Sequence, residues 1–288
     1  MAATDSARRR RSAINRHFFA MLMRILVLIA LTVIFTVPLL WMVSTALKPD
    51  RQVWANPPVW IPSPLAWENF ARGWTALPFT LFLRNSVIVT FFSVLGTTMS
   101  SMVCAFSFAR LRWPLRDFWF GMLVSTMMLP GVVTLIPTFI LFLKLGWINS
   151  FKPLVIPPFF GSAFNIFLLR QFIMTIPIDF DEAARIDGCP TLRLLWQVVA
   201  PLCKPALATV VIFTFMGAWN DFMGPLIFMR RMDLYTMPVG LQFFKHRETS
   251  EPNLLMAMSL VIVAPCLIVF FSAQRYFLEG VTLTGLKG

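Results

Sequence analysis

Charged side chains are concentrated in one short segment of an otherwise apolar chain. This charged segment covers residues 177–204, lies between two long apolar runs, and contains Glu182-Ala183-Ala184 and Gly188. Its other charged side chains are Asp179, Asp181, Arg185, Asp187, Arg193 and Lys204. A membrane protein that keeps so polar a segment between two spans uses it in water. We therefore predict that the charged segment contacts a partner at the membrane surface.

The residue order within the charged segment predicts two helices joined by a glycine. Pro177 ends the preceding helix, because proline disfavours helical geometry in the residue before it. Asp179 or Asp181 can then cap a new helix by accepting hydrogen bonds from its free N–H groups. Gly188 can adopt a positive φ and stop that helix. Pro190 suits the first turn of a second helix.

A second candidate site is Asp221, the only acidic residue well inside a predicted span. Such a residue is costly in a bilayer and is a functional hypothesis by default. We group it with Asn220 and Gly224 as candidates for a translocation path or a subunit interface. The alternative is helix packing, with Asp221 hydrogen bonded to Asn220 or another neighbour. A proton relay is disfavoured, since the predicted spans hold no histidine or second carboxylate.

The sequence offers no constellation for catalysis, metal binding or nucleotide binding. His17 and His246 lie far apart, and the four cysteines form no CxxC pair, so metal and disulfide frameworks are disfavoured. Residues 280–287 resemble a phosphate loop but lack lysine after the second glycine and do not open a helix. We predict that this chain holds no cofactor and is not an enzyme.

Composition indicates a polytopic membrane protein. Hydrophobic residues make up 58% of the 288 residues and charged residues 13%, against roughly a quarter charged in soluble domains. Apolar runs near the length of about 20 residues that crosses a bilayer predict six spans. They lie at 25–47, 86–108, 118–143, 154–169, 205–229 and 254–273. The predicted fold class is all-α, with an external Pro- and Trp-rich loop over 48–85 and a five-helix core over 86–273.

The net charge of +12 has two interpretations, nucleic-acid binding or the positive-inside rule. Arginines cluster in the basic tail over 1–24 and again in the loop around Arg110 to Arg116, whereas residues 144–153 carry only two lysines. This alternation favours membrane topology over nucleic acid. It predicts that both termini, including the tail over 274–288, are cytoplasmic.

The charged segment carries a family resemblance. Glu182-Ala183-Ala184, three residues, Gly188, nine residues, Val198 and then Ala200-Pro201 resembles the EAA loop of binding-protein-dependent ABC importer permeases. The family pattern ends in Leu-Pro, so Ala200 is a departure. The resemblance implies the type I ABC importer permease fold. It also implies a coupling helix that docks in a cleft of a separate ATPase, through Glu182, Ala183, Ala184, Asp187, Gly188 and Pro201.

A narrower resemblance concerns the fifth span. Residues 217–222, Gly-Ala-Trp-Asn-Asp-Phe, followed by Pro225-Leu226, are similar to the second permease subunit of maltose-type carbohydrate importers. This implies uptake of a sugar delivered by an external binding protein, in a bacterial or archaeal inner membrane. The implied partners are a second homologous permease and two ATP-binding cassette subunits, which hold ATP and Mg.

Three alternatives remain at the level of the sequence. Related permeases carry glycerol phosphate or another polar solute. A secondary transporter or channel would work without ATP, but it favours inverted repeats and intramembrane ion ligands. A membrane-embedded enzyme would show clustered catalytic side chains.

Overall fold

The protein is described by a computed structural model that covers residues 2–247 and 251–285, with side chains described for 19–245, 251–272 and 274. All regular structure within those residues is helical. Contacts divide the chain into two compact units. The first unit comprises Met1–Gly73 and Glu248–Leu260, and the second comprises Trp74–Arg247 and Val261–Gly288.

The first unit contains helix α1 (Ala2–Ala46), the short α2 (Asp50–Val53), most of α3 (Glu68–Ala76) and the start of α14 (Pro252–Gly285). The portion Phe19–Ala46 is long and apolar enough to cross a membrane. Its large apolar side chains are mostly exposed, which suits a helix surrounded by lipid rather than water.

Polar contacts hold the end of α1 in this unit. The Asn69 amide donates to the carbonyls of Ala46 and Lys48, at 2.9 Å each. The Lys48 ammonium lies 3.7 Å from the ring centroid of Trp41 and is buried, and burial lowers its pKa. A hydrogen bond from Asn253, 2.8 Å long, helps to lower the pKa of Asp50. The predicted external stretch is therefore ordered by hydrogen bonds.

The second unit is built around α4 (Phe79–Arg110). Its further helices are α5 (Arg116–Ser125), α6 (Gly131–Lys144), α7 (Lys152–Val155), α8 (Ala163–Thr175), α9 (Asp179–Ile186), α10 (Thr191–Leu202), α11 (Lys204–Trp219), α12 (Met223–Phe228), α13 (Met237–Arg247) and the remainder of α14. Helix α4 packs against both α8 and α11. Many of its buried residues are small (Ser86, Ser93, Gly96, Thr97, Ser101 and Ala105), and small residues let helices approach closely where no hydrophobic force acts between them.

Two predicted spans are broken in the structure. The span predicted over 118–143 consists of α5, a 3-10 turn and α6, with a bend of 101° at Leu129 and Pro130. Proline explains the break, because it has no N–H and restricts the residue before it. In the span predicted over 205–229, the long helix α11 ends at Trp219. Just before this span, α10 and α11 meet at an angle of 84°. Within the described residues, four helical segments are long and apolar enough to cross a membrane, or up to six if each bent pair is one span.

Candidate functional site

The charged segment folds as two helices joined at Gly188, as the sequence predicts. Helix α9 ends at Ile186, and Gly188 has a φ of +73°. The turn is closed by backbone hydrogen bonds from Gly188 to the Arg185 carbonyl and from Cys189 to the Ala184 carbonyl, at 3.0 and 2.9 Å. A positive φ is strained for residues with a side chain. Glycine therefore fixes the direction in which α10 leaves.

The predicted aspartate cap of α9 is wrong. The residue before the helix is Ile178, and no side chain caps it. Asp181 is turned inward instead and forms an ion pair with Arg110, with Nε and Oδ2 3.2 Å apart. The two side chains are only 7% and 1% exposed. The attraction is Coulombic, because the N–H is not aligned with the carboxylate and neither carboxylate oxygen accepts a hydrogen bond.

Arg110 ties the charged segment to the end of α4. Besides the ion pair, its Nη2 donates to the Ile176 carbonyl at 2.7 Å. Sequence reasoning had counted Arg110 only as a cytoplasmic charge. The sequence held one signal for the direction of Asp181: Asp181 and Ala184 are three residues apart and therefore share a helix face. Ala184 packs on the core of the second unit, so that face points inward.

The outer side of the charged segment is exposed. Glu182, Ala183, Asp187, Gly188 and Pro201 all lie there, whereas Ala184 is half-buried. Exposed apolar side chains accompany them, namely Ile178, Phe180, Ile186 and Leu192. Large exposed apolar side chains among charged ones are a feature of protein-binding surfaces. Buried Leu194, Leu195 and Val199 hold the same segment on the core.

Of the three candidates of the fifth span, Asp221 and Gly224 lie together, whereas Asn220 faces other neighbours. Asp221 Oδ1 accepts a hydrogen bond at 3.0 Å from the backbone N–H of Gly224, which lies in the first turn of α12. A side chain at Gly224 would press on the Asp221 carboxylate and lie 2.9 Å from Leu154 Cδ2. The Asn220 amide donates to the Met216 carbonyl at 2.8 Å and contacts Cys266 Sγ at 3.7 Å. Asn220 is thus engaged with α14.

Asp221 lines a cavity of about 400 Å³ within the second unit. The cavity lies between α4, the turn at Pro158, α8 and α11. Its polar lining consists of Ser93, Thr97, Ser162, Asn165, Thr214 and Asp221. The rings of Phe164 and Phe213, with centroids 6.2 Å apart, also line it. Hydroxyl and amide groups beside aromatic rings suit a small polar ligand.

Metal ligands are not clustered in the described ranges, where no group of three or more His, Cys, Asp or Glu side chains could hold an ion. The four cysteines are free. In the predicted cytoplasmic tail over 274–288, only the side chain of Gln274 is described. The side chains of His17 and His246 also lie outside the described ones.

The apolar helices define a multi-pass membrane protein, and comparison with known proteins gives its family. A sequence profile described as the binding-protein-dependent transport system inner membrane component matches residues 97–282. The chain belongs to this family of ABC importer permeases.

Individual relatives agree with the family. The sn-glycerol-3-phosphate transport system permease protein UgpE of Yersinia enterocolitica is 33% identical over 239 residues, covering 80% of this chain and 85% of the relative. The arabinooligosaccharides transport system permease protein AraQ of Halalkalibacterium halodurans is 30% identical, covering 87% and 91%. A solved bacterial ABC transporter that imports the acidic polysaccharide alginate contains a chain of the same fold. Its TM-score is 0.80 at 24% identity, with coverage of 91% and 97%.

Proposed function

We propose that this chain is one of two permease subunits in an ATP-driven importer, and that its charged segment is the contact for the ATPase. The carrying observation is that the segment exposes Glu182, Ala183 and Gly188 while the buried Arg110–Asp181 pair anchors it. A second homologous permease completes the pathway. Two separate ATP-binding cassette subunits hold ATP and Mg and perform the hydrolysis. Both termini of this chain are cytoplasmic.

The structure supports a route from the ATPase contact to the transport path. Arg110 stands at the last turn of α4, and Ser93 and Thr97 on the same helix line the cavity. A helix rises about 1.5 Å per residue, so the two points are roughly 20–26 Å apart along one rigid element. Movement of the segment by the ATPases therefore displaces a cavity wall. Coupling then requires that the solute and ATP each favour a different state.

The proposed cargo is a sugar delivered by an external binding protein. The cavity supports this choice with hydroxyl groups, an amide and two aromatic rings, and the AraQ relative is an oligosaccharide permease. The second candidate is glycerol phosphate, which is supported by the 33% identity to UgpE. In both cases the complex resides in a bacterial or archaeal inner membrane.

Co-expression with the candidate sister permease and ATPase tests the assignment. We expect the three proteins to purify together and to take up solute in proteoliposomes only with ATP and binding protein. A chain that transports by itself in liposomes contradicts the proposal.

A matched pair of variants tests the ATPase contact. Ile186 and Ile61 are both 86% exposed, and only Ile186 is in the charged segment. Ile186→Ser should reduce recovery of the ATPase on the purified permease, whereas Ile61→Ser should leave it unchanged. Equal recovery for both variants would place the ATPase elsewhere.

A further inference from the structure

We propose that the cavity at Asp221 is a solute-binding subsite that accepts uncharged polyhydroxy solutes and rejects anionic ones. This inference rests on the proposed function, and it decides between the two cargoes proposed above, a sugar and glycerol phosphate. It attributes the selection of neutral over anionic solutes to the carboxylate of Asp221.

The charge of the cavity lining is the first argument. Among the described residues that line the cavity, Asp221 is the only ionisable one, and no lysine, arginine or histidine accompanies it. A phosphate or carboxylate that entered would meet a like charge with no cation to offset it. Electrostatic repulsion is stronger there than in water, because the lining is half-buried and the effective dielectric constant is lower.

Unpaired polar atoms in the lining are the second argument. Asn165 is 7% exposed, and its Oδ1 has no hydrogen-bond partner. The Thr214 hydroxyl is also buried without a partner. Leaving a buried acceptor unsatisfied is costly, so Asn165 Oδ1 indicates a ligand that donates a hydrogen bond, whereas the Thr214 hydroxyl can bond to a donor or to an acceptor. A sugar hydroxyl donates such a bond, whereas an ionised phosphate or carboxylate group in its place offers only acceptors. Asn165 Oδ1 and Asp221 therefore both favour a donor-rich, uncharged solute.

The position of the carboxylate is the third argument. The Gly224 N–H orients Asp221 Oδ1 at 3.0 Å, and Gly224 leaves room for the other oxygen. An asparagine Oδ1 accepts a hydrogen bond as an aspartate Oδ1 does. Asp221→Asn therefore removes the charge and keeps the hydrogen bond from Gly224, which separates charge selection from folding.

The test uses the whole complex in proteoliposomes with its binding protein unchanged. Uptake is measured for a neutral oligosaccharide, maltotriose or arabinotriose, and for the same oligosaccharide oxidised to its uronate. The wild-type complex should prefer the neutral probe, and Asp221→Asn should reduce that preference about tenfold or more. The binding protein is the same in both complexes, so a change in the ratio reports the permease.

Two further variants keep the test decisive. Asn165→Asp adds a second carboxylate to the cavity and should increase the preference for the neutral probe. Asp117→Asn removes an exposed charge that is not in the cavity lining and should leave the ratio unchanged.

Three results would overturn the inference. One is a wild-type complex that prefers the uronate. Another is ATP-driven uptake in which the ratio of neutral probe to uronate is the same in wild type, Asp221→Asn and Asn165→Asp. That result would leave the importer assignment intact. A chain that transports by itself, without ATP or its partner subunits, contradicts the proposed function, and this inference with it.

Discussion

Asp181 and Asp221 are both carboxylates beside the helices of the second unit, and their surroundings differ. Asp181 is almost fully buried and faces Arg110. Asp221 is half-buried, bonds to backbone N–H groups and lines a cavity, and the part of the chain that the structure describes gives it no ion pair. The comparison teaches that a buried carboxylate with a cation belongs to the scaffold. A carboxylate whose charge is left uncompensated beside a cavity is available to a solute.

Removing one partner of the buried pair should have the largest effect. Arg110→Met leaves Asp181 as an uncompensated buried charge, so we expect a loss of about 3–5 kcal/mol in unfolding free energy. The double variant Arg110→Met with Asp181→Leu should recover most of this loss, because an apolar replacement removes both charges. Thermal unfolding in detergent measures both effects. Arg112→Met, at an exposed position nearby, is the control, and a single variant as stable as the double would contradict the account.

A side chain at Gly188 should have the next largest effect. No atom lies within 4 Å of a Cβ added there, so the cost is the backbone φ of +73°, about 1–2 kcal/mol. We expect Gly188→Val to change the angle between α9 and α10 and to abolish uptake while ATP hydrolysis continues. Gly188→Asn should be milder, because asparagine tolerates a positive φ. Gly121→Ala, in a helix with open space beside it, controls for added bulk. Equal uptake by the valine and asparagine variants would exclude this explanation.

Displacing the Asp221 carboxylate should have an intermediate effect. A Cβ at Gly224 would contact both Asp221 and Leu154, and overpacking of this kind costs about 1–3 kcal/mol. Gly224→Ala should therefore slow uptake severalfold, as measured by initial rates in proteoliposomes. Gly131→Ala adds a methyl group in open space and should not slow it. Unchanged rates in Gly224→Ala would show that the carboxylate position is unimportant.

An exposed ion pair should have the smallest effect. Arg231 and Asp233 are 2.7 Å apart, with side chains 67% and 48% exposed. Water screens such pairs, so Asp233→Asn should change the unfolding free energy by about 0–1 kcal/mol. A loss as large as that of Arg110→Met would mean that burial does not explain the importance of the Asp181 pair.

The local features of the charged segment could be predicted from the sequence, because proline and glycine act on neighbouring residues. Pro177, Gly188 and Pro190 indicate the helix ends, and Gly188 has the positive φ that its position requires. The direction of Asp181 could not be predicted in this way, since it depends on Arg110, which is distant in the chain. Local reasoning therefore assigned Asp181 to a cap that α9 does not have.

The cavity could not be predicted from the sequence either, because it also depends on contacts between residues that are distant in the chain. Ser93, Asn165 and Thr214 come from three different helices, and packing alone brings them together. Asn220 and Asp221 are adjacent in sequence, but α11 ends at Trp219 just before them. Asn220 contacts Cys266, whereas Asp221 bonds to Gly224. The intramembrane prolines, Pro130 among them, indicate kinked helices only weakly, because prolines are common in membrane helices and do not all break them.

The ratio of ATP hydrolysed to solute imported tests the central claim most directly. It is measured in proteoliposomes for wild type, Ala183→Trp and Asp221→Asn. Ala183 is exposed in the charged segment, so a tryptophan there blocks the ATPase contact without disturbing the core. The account predicts that Ala183→Trp raises the ratio of ATP hydrolysed to solute imported or stops uptake, and that Asp221→Asn lowers the preference for the neutral solute while that ratio stays unchanged. An unchanged ratio and rate in Ala183→Trp would contradict the assignment of the charged segment as the ATPase contact.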